Sequence, residues 1–354
     1  MGARTTGRLA LVTDAWRPQT NGVVTTLSRL VEYLESQGTQ VSVFAPNAHW
    51  TLPLPSYPEI RMARDPWRLV PRLQRFAPDA VHIATEGPLG LWARSWLGRS
   101  GLSFTTSFHT RFPEYLAARL PVPLALGYAF ERWFHGGAQH TLVGTRSLIR
   151  ELEGRRVGRH LVHWPRGVDP EAFSPSHRDR DVYRYRRPIW LHVGRIAVEK
   201  SIDRFLDLKL PGTKVVVGDG PARAELQRRY PDVVWRGWRF REDLAAHYAS
   251  ADCFVFPSRT ETFGNVILEA LASGLPVAAV RAPGPVDLID DGSNGALDDD
   301  LLGACGRVLR CSPEQARASA LRFSWREAHE RFRSHLVPLQ PTADAALAEQ
   351  PVAF

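Results

Sequence analysis

The chain has 354 residues with a hydrophobic content of 44% and a charged content of 23%, values typical of a globular protein large enough for two α/β domains. No apolar stretch is long enough to predict a transmembrane helix, and residues 1–8 lack the apolar core of a secretory signal. The three cysteines, Cys253, Cys305 and Cys311, have neither metal-ligand nor disulfide spacing. We therefore expect a protein of the reducing cytoplasm.

The net charge of +8 belongs to the first half of the chain. Residues 1–164 contain 19 Arg, no Lys and 11 Asp or Glu, whereas the remaining residues carry 26 charges of each sign. An excess of this kind attracts nucleic acid or an anionic membrane. No nucleic-acid motif is present, and the segments Arg61 to Phe76 and Trp92 to Arg99 interleave Arg with apolar residues, as interfacial surfaces do. A solvated Arg-rich face remains an equal alternative for each segment alone.

Strands alternate with helices through the first half, which predicts a doubly wound parallel sheet. Two residues follow predicted strands at positions where such sheets bind ligands. Gly22, after the first strand, would let a phosphate or sugar approach the backbone, and His109 follows the strand at 103–107. A histidine there can instead cap a helix or bond the backbone. The predicted strands are Leu9–Thr13, Val41–Ala45, Ala80–Ile83, Ser103–Ser107 and Thr141–Val143.

The stretch from Arg150 to Arg187 is rich in Arg, Pro and Gly, so we interpret it as the connection between two domains. The same alternation then restarts. Gly218-Asp-Gly220 resembles a dinucleotide fingerprint but fails as one, because Arg223 stands where the third glycine belongs. This argues against hydride transfer. The predicted strands are Ile189–Val193, Lys214–Val217, Val233–Trp235, Cys253–Phe256 and Val277–Val280.

Two cations, Arg195 and Lys200, follow the first strand of the second half. Fixed positive charges there would neutralise a diphosphate leaving group. Lysine is rare in this chain, since Lys200, Lys209 and Lys214 are the only three, and its use at 200 favours a point-charge role. The acidic run at 298–300 begins a late helix and is interpreted as structural. No cluster predicts a metal site.

The stretch Pro257–Pro276 lies between the predicted strands Cys253–Phe256 and Val277–Val280, and it contains a loop and a helix from about Phe263 to Ser273. A helix N-terminus binds anions, most often phosphate, through its free backbone N–H groups. Glu261 and Glu269 flank that point and would accept hydrogen bonds from sugar or ribose hydroxyls. Either glutamate alone is more simply a dipole-favoured or solvated carboxylate. The N–H groups concerned belong to Gly264, Asn265 and Val266.

Together these residues resemble the retaining glycosyltransferases of family GT4, over about residues 8–335. That family has the GT-B fold, in which two Rossmann-like domains face a cleft. The likeness is greatest to bacterial GDP-mannose-dependent α-mannosyltransferases, and lipid glycosyltransferases are also similar. The motifs that carry it are Pro18-Gln-Thr-Asn-Gly22-Val, Ser107-Phe-His-Thr110, Arg166-Gly-Val-Asp169, Gly194-Arg-Ile, Glu199-Lys200, Gly218-Asp-Gly-Pro221, Ala251-Asp252, Glu261 with Glu269, and Ala272-Ser-Gly-Leu-Pro276.

The resemblance implies a role for each candidate residue. Arg195 and Lys200 would hold the donor diphosphate, Glu261 the sugar hydroxyls and Glu269 the ribose. His109 would touch the sugar from the first domain, and Gly22 would admit the phosphate. Catalysis would rest on His109, Arg195, Lys200 and Glu261. The remaining donor-binding residues would be Gly218, Phe263, Gly264, Asn265 and Val266.

The resemblance also implies an acceptor domain at 1–165, with a helix at 325–337 crossing back to it, and a donor domain at 166–324. Residues 338–354 are predicted to be disordered. We expect no cofactor or metal; the donor would be GDP-mannose or a UDP-hexose, and the acceptor a lipid or glycan. The protein itself would be cytoplasmic or peripheral on the inner face of the plasma membrane. The alternatives are a UDP-glucose- or UDP-glucuronate-dependent diacylglycerol glycosyltransferase, a nucleotide-sugar epimerase, and a non-enzymatic sugar-nucleotide or nucleic-acid binding protein.

Overall fold

A computed structural model describes residues 7–19, 21–54 and 57–342. The chain divides into two compact units. The first comprises the described residues up to Pro113, Val122–Trp164 and the described residues from His329 onward. The second comprises Glu114–Pro121 and Pro165–Ala328. A short segment from the first half of the chain thus belongs to the second unit.

The first half of the chain forms eight strands and six helices among the described residues. They are β1 (Arg8–Val12), α1 (Gly22–Ser36), β2 (Gln40–Phe44), β3 (Thr51–Leu54), β4 (Tyr57–Ala63), α2 (Leu69–Phe76), β5 (Ala80–Ile83), α3 (Pro88–Arg99), β6 (Thr105–Phe108), α4 (Phe112–Ala117), α5 (Leu124–Gly136), β7 (His140–Val143), α6 (Arg146–Gly154) and β8 (Leu161–His163).

The first unit is built on a parallel sheet with strand order β2-β1-β5-β6-β7-β8. Its order reverses beside β1, which pairs with both β2 and β5. Strand β8 corrects the prediction that 150–187 is only a connection, because Leu161–His163 adds the last strand of this sheet. An antiparallel hairpin, β3–β4, was not predicted either.

In the second half, the residues up to 342 that the structure describes form six strands and eight α-helices. They are β9 (Ile189–Val193), α7 (Asp203–Leu206), β10 (Thr213–Val217), α8 (Arg223–Arg229), β11 (Val234–Gly237), α9 (Arg241–Ser250), β12 (Cys253–Phe256), α10 (Asn265–Ala272), β13 (Val277–Val280), α11 (Pro285–Leu288), β14 (Gly295–Asp298), α12 (Leu301–Val308), α13 (Pro313–Ala320) and α14 (Trp325–His335).

The second unit is built on a parallel sheet with order β11-β10-β9-β12-β13-β14. In chain order this is the 3-2-1-4-5-6 arrangement of a Rossmann sheet, and its order reverses between β9 and β12. All residues of β9, β12 and β13 are buried, because helices cover both faces of the sheet. Helix α10 contributes Ile267, Leu268 and Leu271 to a hydrophobic core of this unit. Each such side chain stabilises the fold by about 1.5–3 kcal/mol.

The C-terminal segment departs from the predicted tail. Helix α14 begins in the second unit, and its residues from His329 onward belong to the first. The chain then runs along the first unit, where Leu339 N donates to Asp79 O at 2.7 Å and Thr342 N to Gly101 O at 2.7 Å. Residues 338–342 are therefore ordered, and the rest of the predicted tail lies outside the described residues. Among the described helices, none has the length and apolar character needed to span a bilayer.

Candidate active site

Two loops meet at the point where the second sheet reverses its strand order. One follows β9 and contains Lys200, and the other follows β12 and contains Glu261. The Lys200 ammonium donates to Glu261 Oε2 at 2.9 Å, and the side chains are 21% and 18% exposed. The Thr260 hydroxyl donates to the carbonyl of Glu199 at 2.7 Å, which ties the loops together. The sequence placed Lys200 and Glu261 in one site but did not predict their contact.

Neighbouring side chains stabilise the protonated form of Lys200. Burial disfavours the ammonium, yet the Glu261 carboxylate and the Tyr115 phenol more than offset that effect and raise the pKa of Lys200 well above its usual range. For Tyr115 the effect of burial is the opposite: burial raises the pKa of the phenol, so the phenol stays protonated. Lys200 is therefore a cation at neutral pH, and its two oxygen partners are Glu261 and Tyr115.

Tyr115 reaches this site because residues 114–121 belong to the second unit. Arg119, on the same segment, makes an ion pair with Glu199 at 2.6 Å, and the Glu199 side chain is only 3% exposed. This ion pair joins the segment 114–121 to the loop that contains Lys200. Sequence reasoning missed both residues, since nothing local connects 115 and 119 with the loop at 199–200.

Helix α10 begins two residues later than predicted. Gly264 is its N-cap, with φ +103°, a left-handed conformation that glycine adopts without strain. A Cβ there would also lie 2.9 Å from Ile267 Cδ1. The Thr262 N–H donates to Glu261 Oε1 at 3.2 Å, which fixes this carboxylate beside the helix N-terminus. The expected anion-binding end thus lies next to Glu261, with Asn265 and Val266 in its first turn and Phe263 buried before it.

Glu269 lies one turn further along α10. Its Oε2 accepts a hydrogen bond from the Tyr248 hydroxyl at 2.9 Å. Tyr248 is buried, and burial followed by the Glu269 charge raises its pKa well above the usual value, so the phenol remains a donor. This bond orients the carboxylate on the face of α10 that carries Glu269.

Arg195 and Gly218 lie in the same region of the second unit. Arg195 is half-buried in the loop after β9. Gly218 directly follows β10 and has φ +131°, and a Cβ on it would stand 1.9 Å from the carbonyl oxygen of Gly194. Gly218 is therefore required for close packing of two backbone turns, a structural reason that the donor-binding prediction did not include.

The first unit holds the other two predicted residues. Gly22 is the first residue of α1, and the Asn21 side chain caps that helix by accepting from Val24 N at 3.0 Å. His109 directly follows β6, as predicted. It is mostly buried, and its ring lies edge-on to Trp164 with centroids 5.5 Å apart.

Family models match most of the chain. The model described as Glycosyltransferase Family 4 matches residues 20–172, and the one described as Glycosyl transferases group 1 matches residues 187–309. The GDP-mannose-dependent alpha-mannosyltransferase of Mycobacterium tuberculosis (strain CDC 1551 / Oshkosh) is 35% identical over 320 residues, which cover 82% of this chain and 83% of that protein.

The chain belongs to glycosyltransferase family 4. It is therefore an enzyme, a glycosyltransferase, as predicted. This glycosyltransferase also resembles the sulfoquinovosyl transferase SQD2 of Arabidopsis thaliana. The two are 33% identical over a region that covers 69% of this chain and 51% of SQD2. Among solved structures, the sucrose-phosphate synthase of Thermosynechococcus elongatus superposes with a TM-score of 0.76 at 20% identity, covering 92% of this chain and 97% of that one. The predicted GT-B fold is confirmed.

Proposed function

We propose that this enzyme is a retaining hexosyltransferase that moves mannose from GDP-mannose to a hydroxyl of a membrane lipid or glycolipid. The observation that carries the proposal is the Lys200–Glu261 pair beside the N-terminus of α10. A diphosphate and a sugar ring both find partners there. The mannosyl donor is favoured because the 35%-identical relative is named a GDP-mannose-dependent enzyme.

The chemistry follows from charge. Departure of the nucleoside diphosphate leaves negative charge on the phosphate oxygens, which Lys200, Arg195 and the N–H groups at the start of α10 would stabilise. Glu261 would hold the sugar hydroxyls. The acceptor hydroxyl would attack from the face that the diphosphate leaves, and its proton would pass to the departing phosphate oxygen as the bond between sugar and diphosphate breaks. Two cations and a helix N-terminus supply this stabilisation from the chain itself, so we propose that donor binding needs neither a metal nor another cofactor.

His109 and Gly22 complete the proposal from the first unit. His109 follows β6 at a strand's carboxyl end, where an imidazole can donate to a sugar hydroxyl. Gly22 opens α1, and the absence of a side chain there leaves its backbone N–H accessible to a phosphate. Both assignments come from family resemblance together with these positions.

A second donor class has support from SQD2, which is named a sulfoquinovosyl transferase. On this reading the enzyme would use a UDP-sugar and glycosylate diacylglycerol. Nucleotide release from GDP-mannose, UDP-glucose, UDP-galactose and UDP-glucuronate, with and without lipid acceptors, separates the two. We expect acceptor-dependent GDP release from GDP-mannose at least about tenfold faster than from any UDP-sugar, and an α-anomeric product by NMR. Release without acceptor, or preference for a UDP-sugar, contradicts the proposal.

The acceptor side has a surface suited to lipid. Trp50 and Trp67 are 74% and 57% exposed, and they flank the β3–β4 hairpin of the basic first unit. Both lie next to buried Asp65, which accepts from Trp50 N at 3.2 Å and pairs with Arg68 at 3.2 Å. Exposed tryptophans interleaved with arginines are typical of contacts with anionic headgroups. We propose that this surface docks on the cytoplasmic face of the membrane. Its exposed arginines include Arg61, Arg64 and Arg68.

Flotation with liposomes tests this docking. We expect binding to vesicles that contain anionic lipid and about tenfold less binding to neutral vesicles, because each surface arginine contributes about 1 kcal/mol. The variant Trp50→Ser/Trp67→Ser should lose most of the binding. Trp238→Ser is the matched control, since Trp238 is an exposed tryptophan of the second unit at 42% exposure. Equal binding to both vesicles, or equal loss in the control, argues against this surface.

A further inference from the structure

A second cluster of ionisable groups lies in the first unit, among residues with no part in the proposed donor site. Glu131 and His135 stand one turn apart on α5, and Glu86 follows β5. One ligand atom from each lies within 4.8 Å of the others. Glu131 and His135 are fully buried, and the Glu86 side chain is 9% exposed.

A hydrogen bond at Nδ1 orients the imidazole of His135. Its Nδ1 lies 2.9 Å from the Thr106 hydroxyl, which in turn lies 3.0 Å from the hydroxyl of Thr141. Metal-binding histidines are fixed in this way through the nitrogen that does not bind the metal. Nε2 therefore points at the two carboxylates.

The distances at Nε2 fit a shared tetrahedral ion as well as an ion pair with the carboxylates. Nε2 lies 3.2 Å from Glu131 Oε2 and 3.5 Å from Glu86 Oε1. Among the described residues, no hydrogen bond is aligned on this Nε2 or on Oε1 of Glu86. Zinc binds imidazole and carboxylate at about 2.0–2.2 Å in a tetrahedron, which separates neighbouring ligand atoms by about 3.4 Å.

The charge of the cluster points the same way. Two carboxylates and one imidazole carry excess negative charge even when the imidazole is protonated. Buried charges are paired or coordinate metals, and two carboxylates with one imidazole offset the charge of a divalent cation. A proton is the competitor, because the neighbouring carboxylates outweigh burial and raise the pKa of His135 to about 9.

We propose that Glu86, Glu131 and His135 bind a divalent metal ion of the zinc class, which joins α5 to the loop after β5. The ion would stabilise the first unit and is separate from the donor site. Sequence reasoning found no metal site, because Glu86 is distant along the chain and the one-turn spacing of Glu131 and His135 is uninformative alone.

Metal uptake by the intact chain tests the proposal. After EDTA dialysis, the protein is titrated with Co²⁺ at neutral pH, and visible absorption reports tetrahedral coordination. We expect saturation at about one equivalent. Zn²⁺ at about a hundredfold excess over its Kd should raise Tm by about 5 °C or more. No stoichiometric uptake, or an unchanged Tm, would overturn the proposal in favour of a protonated His135.

Three variants locate the ion. Glu131→Gln should weaken binding by about 100-fold or more, and Thr106→Val by about 10–100-fold, since it removes only the group behind the imidazole. His82→Gln is the control, because His82 is an equally buried histidine bonded to the Thr105 and Ser107 hydroxyls. Near-UV circular dichroism verifies folding of each. Retained Co²⁺ binding in both test variants, or loss only in the control, would overturn the assignment.

Discussion

Replacing Lys200 with methionine is expected to lower kcat/KM for sugar transfer by about 10²–10³-fold. The substitution keeps the length of the side chain but removes the cation that would meet the charge on the departing diphosphate. Losing one preorganised partner of developing charge typically has an effect of this size. The measurement is steady-state nucleotide release with the best donor found in the screen.

Two controls accompany Lys200→Met. Lys209→Ala removes an exposed lysine of the same unit and should leave the rate unchanged. Lys200→Met/Glu261→Gln removes both charges of the pair, so it shows whether the single variant fails merely because Glu261 is left uncompensated. A rate within about threefold of wild type for Lys200→Met would remove Lys200 from the proposed chemistry.

Changing Glu269 to glutamine is expected to raise KM for the donor by about 10–100-fold with a smaller change in kcat. A hydrogen bond to a charged acceptor contributes about 1.5–3 kcal/mol, and the ribose contact is proposed to form equally in the ground and transition states. Such uniform binding appears in KM. Isothermal titration with the donor gives the same answer independently of turnover.

Tyr248→Phe separates the two roles of this carboxylate. It removes the 2.9 Å bond to Glu269 but leaves the charge in place. We expect a loss of stability with a donor KM less affected than in Glu269→Gln. If Glu269→Gln changes neither donor affinity nor turnover, the ribose assignment is wrong.

The sequence predicted the elements that carry the proposed donor site. Strands β12 and β13 occupy the predicted residues, because each is a short continuous apolar run buried on both faces. The glycine after α10 also marked its end, since Gly274 has φ +69°. Apolar runs and terminal glycines are local features of the sequence, so the elements that they mark can be predicted without knowledge of the tertiary structure.

Elements without a local pattern were missed. Strand β8 is half-buried within an Arg-rich stretch, and the β3–β4 hairpin has a short irregular register. The contact of Lys200 with Glu261 depends on β9 lying beside β12, which is a property of strand order. Tyr115 lies in a segment that packs in the second unit, whereas the residues before and after that segment belong to the first unit. Hydrophobic periodicity in the sequence does not indicate such an exchange between units.

The path of the chain limits how this enzyme can be divided. It leaves the first unit after Pro113, returns at Val122, leaves again after Trp164 and returns at His329. A fragment cut after Trp164 would keep Arg119 without Glu199 and would lose the backbone bonds of 339–342. A chimera that takes the second unit from another family member must therefore exchange residues 114–121 together with 165–328. A single crossover point would separate Lys200 from its native tyrosine partner.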